Sequence, residues 1–384
     1  MVAYYLQMQP HLFRSAVETE FHKLKEQRDA EAEQEGNEEK EKAAAEATGS
    51  DLVLYRRMAE VRRAEQRHAL EDLMYVCILE RFQEIGVNML PALEPVEENV
   101  AMLKALTEGV HSQEALAMVK EHVLSILGPA SMAYANTLVK MSKLQAAQVY
   151  AASIMFGYFL RRVDKRFQLA RTLGMLPETP EDAVARLERL LSMVDSEGSD
   201  PDTPPAVSEA TNPDLSQPEP GSGTSGASSS SGSAEQAQQQ PQQQLVKRPK
   251  SALRQYVESF DQATLVQTAR LVSVEGASLV ERQTKALFGD VRDLQSQMQS
   301  AVGQDAASME ELMQRVQQAR RASLATGALA VADGTVESVT MTIGTQRRAV
   351  LEAVAYGCFL RDVESQVDTD YALLTPLPAT AGQG

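Results

Sequence analysis

Met155-Phe-Gly-Tyr-Phe-Leu-Arg-Arg-Val-Asp164 and Ala355-Tyr-Gly-Cys-Phe-Leu-Arg-Asp-Val-Glu364 lie 200 residues apart (355 minus 155). They share Gly157/Gly357, Phe159/Phe359, Leu160/Leu360, Arg161/Arg361 and Val163/Val363, and each ends on an acid, Asp164 or Glu364. Upstream, Ser112–Gly128 and Ser273–Gly289 keep Ser112/Ser273, Glu114/Glu275, Val119/Val280 and Gly128/Gly289 at an offset of 161 (273 minus 112). Order and chemistry recur in both blocks, which predicts an internal duplication. The 39 extra residues of the second copy (200 minus 161) leave room for an added helix and hairpin.

Glycine inside a helix costs about 1 kcal/mol relative to alanine, so its recurrence points to close helix–helix approach. Gly157, Arg161 and Asp164 fall at i, i+4, i+7 on one face, as do Gly357, Arg361 and Glu364. The recurrence of both charges predicts that Arg161 meets Glu114 and Arg361 meets Glu275.

Outward from these stretches the first half reads as helical. Val17, Phe21 and Leu24 form a stripe on a helix starting near His11, which runs on into the charged segment Glu26–Glu46. A second helix starts at Ser50 or Asp51, carries Leu54, Met58, Val61, Leu70, Leu73, Cys77 and Ile78, and stops at Gly86. Another ends before Gly109; Ser112 caps the next, which Gly128-Pro129 stops; the most apolar helix runs from about Ser142 to Leu173. Thr179-Pro-Glu-Asp182 opens a helix ending near Val194.

Ser196–Gln244 is Ser, Gly, Pro and Gln with few apolar residues, a composition unable to offset the entropy of ordering. In the second half, Ser308-Met-Glu-Glu311 is a capping box opening a helix to Gly327. Ala328–Ala332 and Thr335–Ile343 are β-prone, and Asp333-Gly334 between them predicts a hairpin. A helix carrying Val350, Val354, Cys358 and Val363 follows. The expected fold is mainly α: a helical module over 1–195 (first copy about 96–174), a disordered linker over 196–246, and a helical module with the hairpin over 247–384.

The net charge of −16 looks opposed to phosphate binding, but its location matters more than its size. The linker holds seven acids and no bases, and Glu26–Glu46 nine acids against three bases, so these two supply −13 (−7 and −6). The remainder is close to neutral. What sets nucleic acid aside is the lack of a basic stripe; Lys247-Arg-Pro-Lys250 is short enough to be a solvated edge. Two cysteines and no tryptophan exclude a disulfide scaffold. Leu144–Leu160, with Gln145, Gln148 and Ser153 inside it, is too short and too polar for a membrane span and reads as a core helix.

Tyr150-Ala-Ala-Ser-Ile-Met-Phe-Gly-Tyr-Phe-Leu-Arg-Arg-Val-Asp-Lys-Arg-Phe-Gln-Leu169 closely resembles the UV-B-induced chloroplast protein family of plants and algae. So do Val350–Tyr371, Asp51–Val61 and Pro10-His-Leu-Phe13. The resemblance implies a domain of unknown function shared with cyanobacteria and a chloroplast, stromal location. It brings no established activity, cofactor or catalytic residue. Members usually carry a transit peptide before the Pro10 region, and none is evident here.

Several motifs carry possible chemistry. Gly221-Ser-Gly-Thr-Ser-Gly226 spells a dinucleotide-binding pattern but follows no strand and opens no helix. Glu65/His68 and Glu108/His111 have the Glu-x-x-His spacing of helical di-metal sites, which Glu20, Glu71 and Glu121 could complete. Solvated surface groups are the simpler reading. Cys77 and Cys358 lie on apolar helix faces, as buried inert thiols or as a redox pair across the halves. The residues therefore favour a binding or regulatory protein without enzymatic activity, with no cofactor and a protein or small-molecule partner. The alternative is a metal-dependent or redox helical enzyme using the Glu-x-x-His pairs.

Overall fold

The chain runs α1 (Pro10–Lys42), α2 (Gly49–Glu84), α3 (Val100–Glu108), α4 (Gln113–Leu127), β1 (Leu138–Ser142) and α5 (Lys143–Thr172). It continues with α6 (Ala252–Glu258), α7 (Gln262–Ala269), α8 (Val274–Phe288), α9 (Val291–Gln304), β2 (Ser338–Thr342) and α10 (Ile343–Asp370). The computed structural model describes residues 9–42, 49–90, 99–129, 134–176, 188, 251–304 and 337–378. The linker, the helices expected at 179–194 and 308–327, the segment Ala328–Ala332 and the Asp333-Gly334 turn lie outside the described residues.

Local chemistry sets the boundaries. Ser112, Ser142, Ser251, Ser273 and Thr342 each cap a helix by accepting a hydrogen bond from the backbone N–H three residues on. Such a cap satisfies one of the orphan donors of the first turn. Gly86, Gly128, Gly174 and Gly289 end helices at positive φ, where other residues are strained.

α5 and α10 form the centre because their sequences leave too little polar surface to face water. α10 is buried without interruption from Ala349 to Leu360, and α5 buries Tyr150, Ile154, Gly157, Tyr158, Leu160, Val163 and Phe167. A helix apolar on most of its circumference belongs inside a core. Residues near Tyr150 meet residues near Val350, and Arg161 meets Asp362, so the two helices run side by side in one direction. Helices from both sides of 177–250 thus share one core and one structural unit. Phe82 packs edge-on to Phe359 from α2, and Phe21 of α1 stacks on Tyr371 at 4.9 Å.

The contacts between α5 and α10 repeat under the 200-residue offset. A Cβ placed on Gly157 would lie 2.8 and 2.9 Å from the carbonyl carbon and Cα of Val354, and nearer still to its oxygen. One placed on Gly357 would strike Ile154 and Tyr158, at 2.9 Å from the Ile154 carbonyl carbon and 2.7 Å from the Tyr158 nitrogen. Both glycines are there because the two backbones touch, as their recurrence predicts. Before the helices, β1 and β2 pair antiparallel with Lys140 opposite Thr340. Lys143 N donates to Glu337 O at 2.9 Å and Ile343 N to Thr137 O at 3.0 Å, a reciprocal pair under the same offset.

Of the two strands expected in the second half, the one within 335–343 is present as Ser338–Thr342 and pairs with Leu138–Ser142, some 200 residues away; the other, 328–332, lies outside the described residues. Each strand is only five residues long and leads straight into a central helix, so docking those helices brings the strands together. One difference concerns α2. Leu70, Met74, Ile78 and Phe82 enter the core, whereas Leu54, Met58 and Val61 are 58, 44 and 52% exposed, since the stripe there extends past the packed helices.

Candidate functional site

The residues that recur at matching positions in the two halves build polar locks between helices. Ser112, while capping α4, donates to Asp164 Oδ1 on α5 at 2.8 Å. Ser273, capping α8, donates in the same way to Glu364 Oε1 on α10. Glu364 is wholly buried and also accepts from Tyr158 Oη at 2.5 Å and from Arg361 Nη1 at 3.3 Å. Burial, then the Glu364 charge, raises the Tyr158 phenol well above its ordinary range, so it stays a donor.

The expected Arg161–Glu114 and Arg361–Glu275 pairs are replaced. Arg161 makes a bidentate bond to Asp362 on α10, at 2.7–3.0 Å, and Lys165 reaches the same carboxylate at 2.6 Å. Burial alone would raise Asp362, but these two cations outweigh it and hold the carboxyl below its usual range. Glu114 instead pairs with Arg171 at 2.6 Å, and Glu275 accepts from Thr375 N at 3.0 Å. Helix spacing had placed each residue on the correct face. The recurring serines hold Asp164 and Glu364, and the partner of Arg161 across the interface is Asp362.

The Glu-x-x-His residues are not brought together. His68 Nδ1 lies 3.4 Å from Glu71, Glu65 is exposed, and Glu108 pairs with Lys104 at 3.5 Å. His111 sits against Cys358, with Nδ1 3.8 Å from the sulfur. Burial and then Arg161 lower its pKa to about 4, so it is a neutral imidazole. Among the described residues no three His, Cys, Asp or Glu side chains converge to hold a metal. Cys77 and Cys358 are both free thiols. Burial pushes Cys77 up to about 12 and raises Cys358 as well, which makes thiolate chemistry unfavourable at either. His122 and Ser153 lie 3.1 Å apart, but Ser153 is fully buried and also bonded to Val149 O. That geometry gives no substrate access to a nucleophile.

Sequence reasoning missed Glu352. It is fully buried on α10, and both its oxygens accept from Leu90 N, at 3.0 and 3.1 Å, pinning the chain after α2. Burial, opposed by Leu90 N and Arg348, pushes its pKa up to about 7 from an ordinary 4.5. Between these values the folded protein holds a proton that the unfolded chain has released. Stability from this group is therefore complete below 4.5 and is lost as pH rises through about 7. Urea unfolding should give a free energy lower by roughly 3 kcal/mol at about pH 8 than at about pH 4.5 from this group. Glu352→Gln should flatten that slope; identical slopes in both proteins would refute the assignment.

The most distinctive concavity is a cleft of about 330 Å³ bounded by α1, α2, the start of α8 and residues 371–378. Leu24 and Arg28 come from α1; Arg63, Gln66, Arg67 and Leu70 come from one face of α2 at i, i+3, i+4, i+7. Leu373 and Thr375 close the far side, and Glu275, 1% exposed, lies at the base with Arg67 3.9 Å away. Arg28 donates to the carbonyl of Ala372, whose φ of 54° is unusual for alanine. No short-range signal marks this site, because its walls come from four separate places in the sequence. A second, more polar hollow of about 590 Å³ surrounds Arg161, Lys165 and Asp362, where the charges already pair with one another.

No helix among the described residues is long and apolar enough to cross a membrane. No solved structure matches the chain. Residues 53–173 match the family described as "Protein of unknown function (DUF760)". The chain is 32% identical over 373 residues to a UV-B-induced chloroplastic protein of Arabidopsis thaliana, covering 94% of this chain and 72% of that one. Identity of that extent, through both halves, means that the chain belongs to the DUF760 family of UV-B-induced chloroplast proteins.

Proposed function

We propose that this is a non-enzymatic binding or regulatory protein of the chloroplast stroma, linked to light or UV-B stress, which takes a small molecule or a protein partner at the Arg28/Arg63/Arg67 cleft. The chloroplastic location and UV-B induction named for the Arabidopsis relative support the setting. The observation that carries the reading is the cleft itself, where three guanidiniums meet an apolar floor. By contrast, the buried acids Asp164, Glu352 and Glu364 are engaged in holding helices and loops together.

The same reading takes the architecture as two related modules, 1–195 and 247–384, copies of one ancestral unit joined by a flexible linker over 196–246. Support comes from the matched caps Ser112 and Ser273, the matched locks at Asp164 and Glu364, and the reciprocal strand and glycine contacts. The competing reading, a metal-dependent or redox enzyme, would have to bring Glu65, His68, Glu108 and His111 together from places where other contacts occupy them.

Native mass spectrometry and metal analysis of the full chain isolated from chloroplasts test the choice. The wild type should retain a bound species that the Arg28→Glu/Arg63→Glu protein lacks. Stoichiometric iron, manganese or zinc that disappears in Glu65→Ala or Glu108→Ala would overturn the reading, as would identical spectra for wild type and variant.

A further inference from the structure

We propose that the α1/α2 cleft binds a small organic anion bearing an apolar tail, with a carboxylate or phosphate head held by Arg28, Arg63 and Arg67 and the tail laid over Leu24, Leu70 and Leu373. The proposal rests on that cleft being the binding site of the reading above and deepens it by naming the ligand class.

The polarity of the cleft follows from helix spacing. Arg14 of α1 pairs with Glu80 and Glu84 of α2, so the two helices run antiparallel and Arg28 lies towards the Arg63/Arg67 end. Leu24, one turn before Arg28, then falls beside Leu70, one turn after Arg67. One end of the cleft therefore gathers the guanidiniums and the other is apolar, an arrangement that neither a neutral hydrocarbon nor a bare anion would fill.

Charge points the same way. The lining brings three arginines together beside Glu31 and Glu275, and Arg28 also pairs with Asp29 at 3.2 Å. Glu275 is already held by Thr375 N, and Arg67 stands 3.9 Å from it. Each guanidinium carries five N–H donors, more than the single carbonyl and carboxylate bonds recorded for Arg28 consume. Guanidinium forks match the planar or tetrahedral oxygens of carboxylate and phosphate.

The wall made by residues 371–378 is shaped for the purpose. Val274 N donates to Thr375 O at 2.9 Å and Leu377 N to Val272 O at 3.1 Å, so this segment is pinned beside the start of α8. Ala372, at φ 54°, turns the chain so that its carbonyl meets Arg28 and Leu373 joins the apolar floor. A left-handed alanine is unfavourable, and such conformations persist where surrounding contacts over-determine them. The volume of about 330 Å³ lies within the range of small-ligand sites.

Isothermal titration of the full chain with octanoate, octyl phosphate, 1-octanol and inorganic phosphate tests the proposal. Octanoate or octyl phosphate should saturate the protein and bind about tenfold or more tightly than either 1-octanol or inorganic phosphate. The stronger of the two names the head group. Arg63→Gln, at an exposed position, should weaken that binding about tenfold with an unchanged melting curve, and Arg28→Gln should weaken it as well. Equal affinity for 1-octanol would overturn the anion while leaving a binding cleft in place. Equal affinity for inorganic phosphate would overturn the tail. Absence of saturation by both chain-bearing anions below about 1 mM, or binding indifferent to both arginine substitutions, would overturn the proposal as a whole.

Discussion

Gly157→Ala is expected to destabilise the protein by at least about 4 kcal/mol, although alanine is the better helix former by about 1 kcal/mol. The sign reverses because the added methyl would meet backbone. Its neighbours are the carbonyl oxygen, carbonyl carbon and Cα of Val354, none of which can turn away as a side chain does. Relief requires α5 and α10 to separate, and separation opens the contacts of Ile154, Tyr158, Val354 and Leu360, all at most 1% exposed. Overpacking inside a well-filled core usually costs about 1–3 kcal/mol, and a backbone clash at the central crossing exceeds that. Gly357→Ala should behave alike, and the double substitution should leave no cooperative unfolding transition. Urea denaturation followed by circular dichroism decides the matter; a Gly157→Ala protein within about 1 kcal/mol of wild type would show that the helices are farther apart than described.

The second large effect is expected at Glu364. Glu364→Ala removes a fully buried carboxylate on which Tyr158 Oη, Ser273 Oγ and Arg361 Nη1 converge. Three donors are then left buried or half-buried without their acceptor, and breaking such a cluster costs roughly 3–5 kcal/mol. Tyr158 also receives a bond from Val272 N at 3.2 Å, so the loss reaches the loop before α8. In thermal terms this is a fall of about 10 °C for a unit of this size. Asp164→Ala provides the internal comparison. Asp164 is 6% exposed and is held by Ser112 at 2.8 Å and Gln168 at 3.3 Å, so its removal should cost only about 1–2 kcal/mol. Equal melting temperatures for the two variants would mean that the Glu364 cluster adds nothing beyond a single hydrogen bond.

How much of this was legible in the sequence depends on the range over which each signal acts. Caps are local, and Gly86, Ser112, Gly128 and Ser142 all bound helices where the sequence placed their limits. Gly157 and Gly357 announced a close approach by an otherwise unfavourable residue choice. Which residue lies across an interface is a different matter, because a 3.6-residue period identifies a face and not its partner. Hence Arg161 and Glu114 stood on plausible faces yet found Asp362 and Arg171. The same limit applies to β2, whose partner β1 is positioned by a distant helix and is named by no local signal. Glu352 gave no sign at all, as a single acid in a helix reads as solvent-facing until its surroundings are known. The arginine cleft required four remote segments to meet, and only the folded chain supplies that.

The sharing of one core by helices on either side of 177–250 has a consequence in time. α5 finds its main cover only when α10 has been made, about 200 residues later by the offset of their glycines. At synthesis rates of roughly 5–20 residues per second, that helix waits on the order of 10–40 s with its apolar faces uncovered. Closing so long a loop adds little to the equilibrium cost, since the entropy of closure grows only with the logarithm of length. The burden falls on kinetics instead, in the interval when α5 has been made and its partner helix has not.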